Sequence, residues 1–264
     1  MSDATSVGSL CDDLAAEHAV LDCMVSALSD DEWLRATPAE PWTIRDQIAH
    51  LAFFDERAAD AVTHPEEFTR NVATLAPDIG GGLERHLELG GRLGPTVLEH
   101  WRAMRAAMLG VLRRLDPSAR VPWYGPPMSG QSFITARLME TWAHGQDVAD
   151  ALGIEREATT RLRHVAFLGV RTFAWSHQVR GLPVPASPPR IELHGPGDLV
   201  STWNEDGDGL VSGPLEDFCL VVTQRRHVDD TALRTEGATA RRWMEIAQAF
   251  AGPPGPGRQA GIVS

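Results

Sequence analysis

The chain has 264 residues, 43% of them hydrophobic, enough to bury one large core or two modest ones. Its formal net charge of −12 argues against a nucleic-acid partner, which would need clustered positive charge, whereas the arginines here are interspersed with acids. The N-terminal stretch "MSDATSVGSLCDDLAAEHAV" lacks the basic start and apolar run of a signal peptide, and no window approaches the ~18 uninterrupted apolar residues of a membrane span. Cys11, Cys23 and Cys219 are odd in number and lack CxxC spacing, so they read as reduced packing residues of a cytoplasmic protein.

In chain order, residues 7–28 carry Leu10, Leu14, Val20, Leu21 and Met24 at helical spacing. "PWTIRDQIAHLAFFDERAADAV" begins a second helix at Thr43, whose hydroxyl can cap the first turn, with Asp46 three residues later as its capping-box partner. Ile44, Ile48, Leu51 and then Phe54 or Asp55 follow one face. A glycine break, "DIGGGLERH", precedes a long helical run over 83–115, bent or interrupted near "LGGRLGP". "DPSARVPWYGPPMSGQ" reads as loop and leads into a helix from near Ser132 to a stop at Gly153. A further helix spans 158–179. Four of these helices, each roughly twenty residues long, fit an antiparallel bundle with a crossover.

After "GLPVPASPP" the texture changes. "RIELHGPGDLVSTWNEDGDGLVSGP" has short alternating runs bounded by Gly, Asp and Asn, the pattern of hairpins. "PLEDFCLVVTQRR" suits a buried helix and "ATARRWMEIAQAFAG" an amphipathic one. The expected boundary lies within 182–189, dividing a helical domain over 1–182 from a small α+β domain over 183–264 with a loosely held tail, "PPGPGRQAGIVS". The fold class is therefore mainly α with an α+β second domain. No internal repeat is visible.

"METWAHGQDVADALG" places Glu140 and His144 four residues apart on one helix face, a hard oxygen and an imidazole nitrogen within reach of one ion. The spacing fits either two metal ligands or an ordinary polar pair. Catalytic zinc commonly takes three protein ligands, and His50, mid-helix among Ile48, Leu51 and Phe53, is the candidate third. By itself His50 reads equally as a hydrogen-bonded core histidine. His86 and His100 on the long helix offer a further ligand or an acid/base near such an ion or read as ordinary histidines, and the second reading is the one adopted.

"PWTIRDQIAHLAFFDERA" resembles the second-helix motif of the DinB/YfiT-like metalloprotein superfamily, W-[ST]-x-x-[DE]-x-x-x-H. "METWAHGQDVADALG" is similar to the E-x-x-x-H-x-x-D-[LIV] helix of its mycothiol-dependent maleylpyruvate isomerase branch. The motif order matches too, and "SGPLEDFCLVVTQRR" with the strands before it resembles that branch's sterol-carrier-protein-like C-terminal domain. The resemblance implies a DinB-like four-helix bundle followed by a small α+β domain, with His50, Glu140 and His144 as metal ligands. It puts Asp147 at the family's H-x-x-D position, where it can support a ligand or a bound water or stand as a helix-surface acid. The "GR" that often ends the family's C-terminal helix is here "TQRR"; Arg225 or Arg226 offers a planar fork for a substrate carboxylate or belongs to a solvated charge run. Tyr124, the only tyrosine, lines the pocket mouth or packs under the Pro-rich loop.

By this resemblance a divalent metal, zinc first, activates the low-molecular-weight thiol mycothiol for transfer to, or isomerisation of, a small electrophile such as a maleylpyruvate-like acid. The 24 Lys-or-Arg positions are all Arg, a bias of GC-rich coding that fits a host of that kind. Two other functions stay open: a thiol-independent metal-dependent hydrolase, lyase or isomerase, and a non-catalytic protein binding metal or an apolar ligand. The expected partner is a small molecule, with neither nucleic acid nor membrane, and the expected state is monomer or homodimer.

Overall fold

The computed structural model describes residues 6–75 and 91–261. The glycine break, the first part of the long third helix and His86 lie outside these residues. The chain divides into two compact units, Met1–Glu155 and Arg156–Ser264.

In the first unit, helix α1 (Val7–Val25) is followed by one short turn, α2 (Asp30–Trp33), and by α3 (Ile44–Thr63). Thr43 caps α3 as expected: its N–H donates to Asp46 Oδ2 at 2.9 Å, and its hydroxyl to the same oxygen at 2.6 Å. A helix that the sequence had not suggested, α4 (Pro65–Leu75), comes next. A 3-10 turn, Gly94–Thr96, then opens α5 (Val97–Leu112), so the expected interruption near "LGGRLGP" is real. The Pro-rich loop holds a two-residue antiparallel pair, β1 (Arg120–Val121) with β2 (Met128–Ser129), where only loop was expected. Ser129 accepts from Ser132 N–H at 3.2 Å to start α6 (Gly130–Leu152), and Gly153, at φ 67°, ends it in the left-handed conformation that glycine enters without a Cβ clash.

Helices α1, α3, α5 and α6 make the four-helix bundle: α3 packs against α5 and α6, and α1 against α6 and α5. Leu21, Val25, Ile44, Ile48, Leu51, Val97, Trp101 and Val148 form its core. Each such side chain contributes on the order of 1.5–3 kcal/mol by leaving water. Of the apolar positions read from the sequence, Leu10, Leu14, Leu21, Ile44, Ile48 and Leu51 face inward, Met24 is half-buried, and Val20 is exposed on the outer face of α1.

The second unit holds α7 (Leu162–Arg171) and α8 (Phe173–Gln178), then β3 (Arg190–His194), β4 (Val200–Trp203), β5 (Leu210–Pro214), α9 (Leu215–Val222), β6 (Arg234–Glu236) and α10 (Ala238–Ile246). Its sheet runs β4-β3-β5-β6, with β3 and β5 parallel and the outer pairs antiparallel. The single helix expected over 158–179 is divided at Thr172, whose hydroxyl donates to the carbonyls of Leu168 (3.1 Å) and Gly169 (2.9 Å).

The boundary at 155/156 corrects the one expected within 182–189. Helix α7 packs on α9, and α8 on α10, so both belong with the sheet. Gly169 allows that close approach: a Cβ there would stand 2.8 Å from Val222 Cγ2 and 3.1 Å from Phe218 Cε1. The tail is also better held than its composition suggests. Gly261 N–H donates to both Asp230 carboxylate oxygens at 2.9 and 3.0 Å, and Arg180 reaches Gly255 O at 3.4 Å. No described helix is long and apolar enough to cross a membrane.

Candidate metal centre

The capping box fixes where α3 begins and hence which way His50, seven residues on, projects. On α6 the four-residue spacing stacks Glu140 and His144 on one face. The bundle brings these faces together: His50, Glu140 and His144 each offer a ligand atom, and all three atoms lie within 4.8 Å of one another. Glu140 Oε2 is 3.3 Å from His144 Nε2 and 4.0 Å from His50 Nε2. The two imidazole centroids are 4.3 Å apart. His144 is buried, while the other two are half-buried, so the cluster has a side open to solvent.

Burial opposes ionisation of Glu140. Hydrogen bonds from His144 and His50, with the field of Arg137, outweigh it and hold the carboxyl well below its usual range. Glu140 is therefore a carboxylate at neutral pH. Two imidazole nitrogens and one carboxylate oxygen form a donor set that suits Zn²⁺ and is also accepted by Ni²⁺, Fe²⁺ and Mn²⁺.

Aromatic rings surround the cluster. Trp42 lies 4.8 Å from the His50 ring and stacks on His144 at 5.8 Å and 14°. Phe54 also packs on His50, with ring centroids 4.7 Å apart. Tyr124 meets Phe54 edge-on at 5.7 Å and Trp123 at 5.1 Å. Tyr124 is thus packed among Phe54 of α3, Phe68 of α4 at 5.6 Å and Trp123 of its own loop, and Phe54 touches both its ring and that of His50.

Asp147, one turn beyond His144, is fully buried, which removes the helix-surface reading. The partner of His144 Nδ1 is instead Gln47 Oε1, at 2.5 Å. Sequence reasoning missed Gln47, although it lies one turn before His50 on the same side of α3. Arg225 and Arg226 belong to the second unit, in the turn after α9. They are half-buried there and cap that helix region through Arg225 Nη1 to Thr223 O (2.6 Å) and Arg226 Nη1 to Arg225 O (2.7 Å). Gln224, before them, takes φ 61°, the left-handed conformation in which helices commonly end.

None of the three cysteines is a member of the cluster. Burial raises the Cys219 thiol well above its usual range and raises that of Cys11 as well, while Cys23 is exposed on α1.

Residues 14–149 match the family model described as the mycothiol maleylpyruvate isomerase N-terminal domain. Two uncharacterized proteins of Mycobacterium tuberculosis, from strains CDC 1551 and H37Rv, are each 45% identical to this chain over 248 residues, covering 93% of it and 96% of the relative. Among solved structures, the crystal structure of the mycothiol-dependent maleylpyruvate isomerase aligns with a TM-score of 0.57 at 14% identity, covering 89% of this chain and 94% of that one. A mutant of that protein aligns with a TM-score of 0.58 at 15% identity and the same coverage. At such identities the likeness speaks for the fold, and it extends well past the helical bundle into the α+β unit. The match over residues 14–149, more than half of the chain, makes it a member of the mycothiol maleylpyruvate isomerase N-terminal domain family.

Proposed function

We propose that this protein is a metal-dependent isomerase that uses mycothiol to isomerise a small electrophilic acid of the maleylpyruvate type. The observation that carries the reading is the convergence of His50, Glu140 and His144 within 4.8 Å in a chain of this family. These three residues would hold the ion, with zinc the first choice. When bound, a divalent ion there supplies a Lewis acid able to keep a thiol ionised at neutral pH.

The protein's own residues set up the rest. Glu140 is ionised and offers its oxygen without first losing a proton. The two buried cysteines are poor nucleophiles, which suits a thiol delivered from solution. Trp42 packs on both imidazoles and Phe54 on that of His50, lowering the local dielectric and strengthening any charge interaction made there. Asp147 is given a supporting part, and Tyr124 a place in the aromatic wall that meets the substrate. A thiolate that adds to an activated double bond and leaves after rotation about the resulting single bond is regenerated, so the thiol is a cosubstrate without net consumption.

Protein purified without added metal should contain about one divalent ion per chain, and with mycothiol it should isomerise maleylpyruvate. His144→Ala should lose both properties. Isomerisation that persists after complete thiol removal would instead support a thiol-independent metal enzyme, and absence of both metal and turnover would reject the proposal.

A further inference from the structure

The groups that reach His144 from α3 form a chain of hydrogen bonds with only one consistent direction. Thr37 donates twice to the Trp42 carbonyl, from its N–H at 2.8 Å and from its hydroxyl at 2.8 Å. A carbonyl can only accept, so the single hydroxyl hydrogen of Thr37 is committed there. Thr37 Oγ1 must therefore accept from Gln47, whose Nε2 stands 2.9 Å away. This turns Gln47 Oε1, also purely an acceptor, toward His144 Nδ1 at 2.5 Å. Nδ1 then has to carry hydrogen, whatever the charge of the ring. The nitrogen left to act as a ligand is Nε2, the one that faces Glu140.

Burial keeps the chain in that state. Gln47 is fully buried and Thr37 4% exposed, so water has little access to replace either link, and reversing the amide would set two acceptors or two donors against each other. The far end is anchored in backbone, because the 37–42 segment is closed by Thr37 N–H to Trp42 O and by Trp42 N–H to Ala39 O at 3.0 Å. Trp42 thereby acts twice: its ring stacks on His144, and its carbonyl sets the orientation of the Gln47 amide.

We infer that Gln47 is a positioning residue that commits His144 Nδ1 to hydrogen and so presents Nε2 to the metal. This rests on the metal-centre reading above, and its test separates the two. Long-range ¹H–¹⁵N spectra of the metal-free protein should show a His144 Nδ1-bound hydrogen protected from solvent exchange. Gln47→Leu should lose that protection, and a wild-type Nδ1 without hydrogen would overturn the inference. In a zinc competition titration against a chromogenic chelator, Gln47→Leu should weaken binding by about 10–100-fold. Gln47→Glu, which keeps an acceptor opposite Nδ1, should restore affinity. Thr37→Val, which frees the amide while retaining shape, should weaken binding in the same direction but less. Unchanged affinity in a folded Gln47→Leu protein, checked by near-UV circular dichroism, would also overturn the inference. If wild-type protein bound no zinc the metal-centre reading would fall, and the Nδ1 signal would still decide what Gln47 does.

Discussion

Two polar clusters are built on the same pair of helices, and they differ in how their charges are matched. Helix α3 supplies His50 to one and Asp55 to the other; α6 supplies Glu140 and His144 to one and Arg137 to the other. In the second cluster, fully buried Asp55 takes Arg137 Nη2 at 2.8 Å and Trp101 Nε1 at 3.1 Å. Burial is strong enough to push Asp55 above the usual carboxylate range despite that guanidinium. In the first cluster, Glu140 faces two imidazoles, remains partly open to solvent and is held well below the usual range. A carboxylate with a cation built in beside it is a strut between helices. One that converges with two imidazole nitrogens toward a common point is suited to hold a cation from outside.

The largest expected effect breaks the strut. Asp55→Ala leaves Arg137 charged and uncompensated in the core, and should destabilise the protein by about 3–5 kcal/mol in urea unfolding. The double change Asp55→Leu with Arg137→Met should recover most of that loss, because neither charge is then buried. A double variant as unstable as Asp55→Ala would show that packing, not the unmatched charge, dominates. The open cluster should respond the other way round. His144→Ala should lower zinc affinity by more than ~100-fold, beyond the range expected for loss of a mere ligand support. The urea midpoint of the metal-free protein should change little, and a large fall would make His144 a structural residue instead.

How far each cluster could be read from sequence follows from how local its signals are. Glu140 and His144 announce themselves because helical spacing alone puts them on one face. His50 follows from a motif whose Thr43 and Asp46 form a capping box visible as residue types. Arg137 and Asp55 were silent, since their pairing crosses 82 positions and nothing in either local segment names the partner. Gln47 was silent for a related reason: its task depends on the 37–42 segment folding back over α3, which no local pattern in the sequence signals. The domain boundary was misplaced because texture marks a change of secondary structure, whereas units are defined by packing. Helices α7 and α8 read like bundle helices, yet Gly169 lets α7 dock closely on α9.

A third group sharpens the contrast at lower pH. His18 on α1 is 2% exposed, its ring meets Trp101 edge-on at 5.8 Å, and neither ring nitrogen has a hydrogen-bond partner among the described residues. Burial first, then the positive fields of Arg105 and Arg137, lowers its pKa to about 3. It stays neutral in the folded protein, whereas in the unfolded chain it takes up a proton below about 6.5. Its contribution to stability is therefore complete above pH 6.5 and falls as pH drops from there toward 3. Between pH 7 and pH 5 this should remove about 2 kcal/mol, and His18→Phe should flatten that limb of the pH–stability curve. An unchanged slope in the variant would assign acid sensitivity to other groups.

The smallest effect tests the helix that carries both clusters. Thr43→Ala removes a cap that accepts from Asp46 N–H and donates to its carboxylate, and should cost about 1 kcal/mol. Thr43→Ser should recover most of it, since the hydroxyl is what the cap needs. The two clusters should then report differently on the loosened first turn. Gln47 and His50 lie within two turns of Thr43, while Asp55 lies three turns along and is held at both oxygens by Trp101 and Arg137. Zinc affinity should therefore fall by a few-fold in Thr43→Ala beyond what global stability explains, and amide hydrogen exchange should quicken at residues 44–48 but not around Asp55. Equal acceleration along the whole of α3 would mean that the cap serves stability alone and that the open cluster is held by packing rather than by where its helix begins.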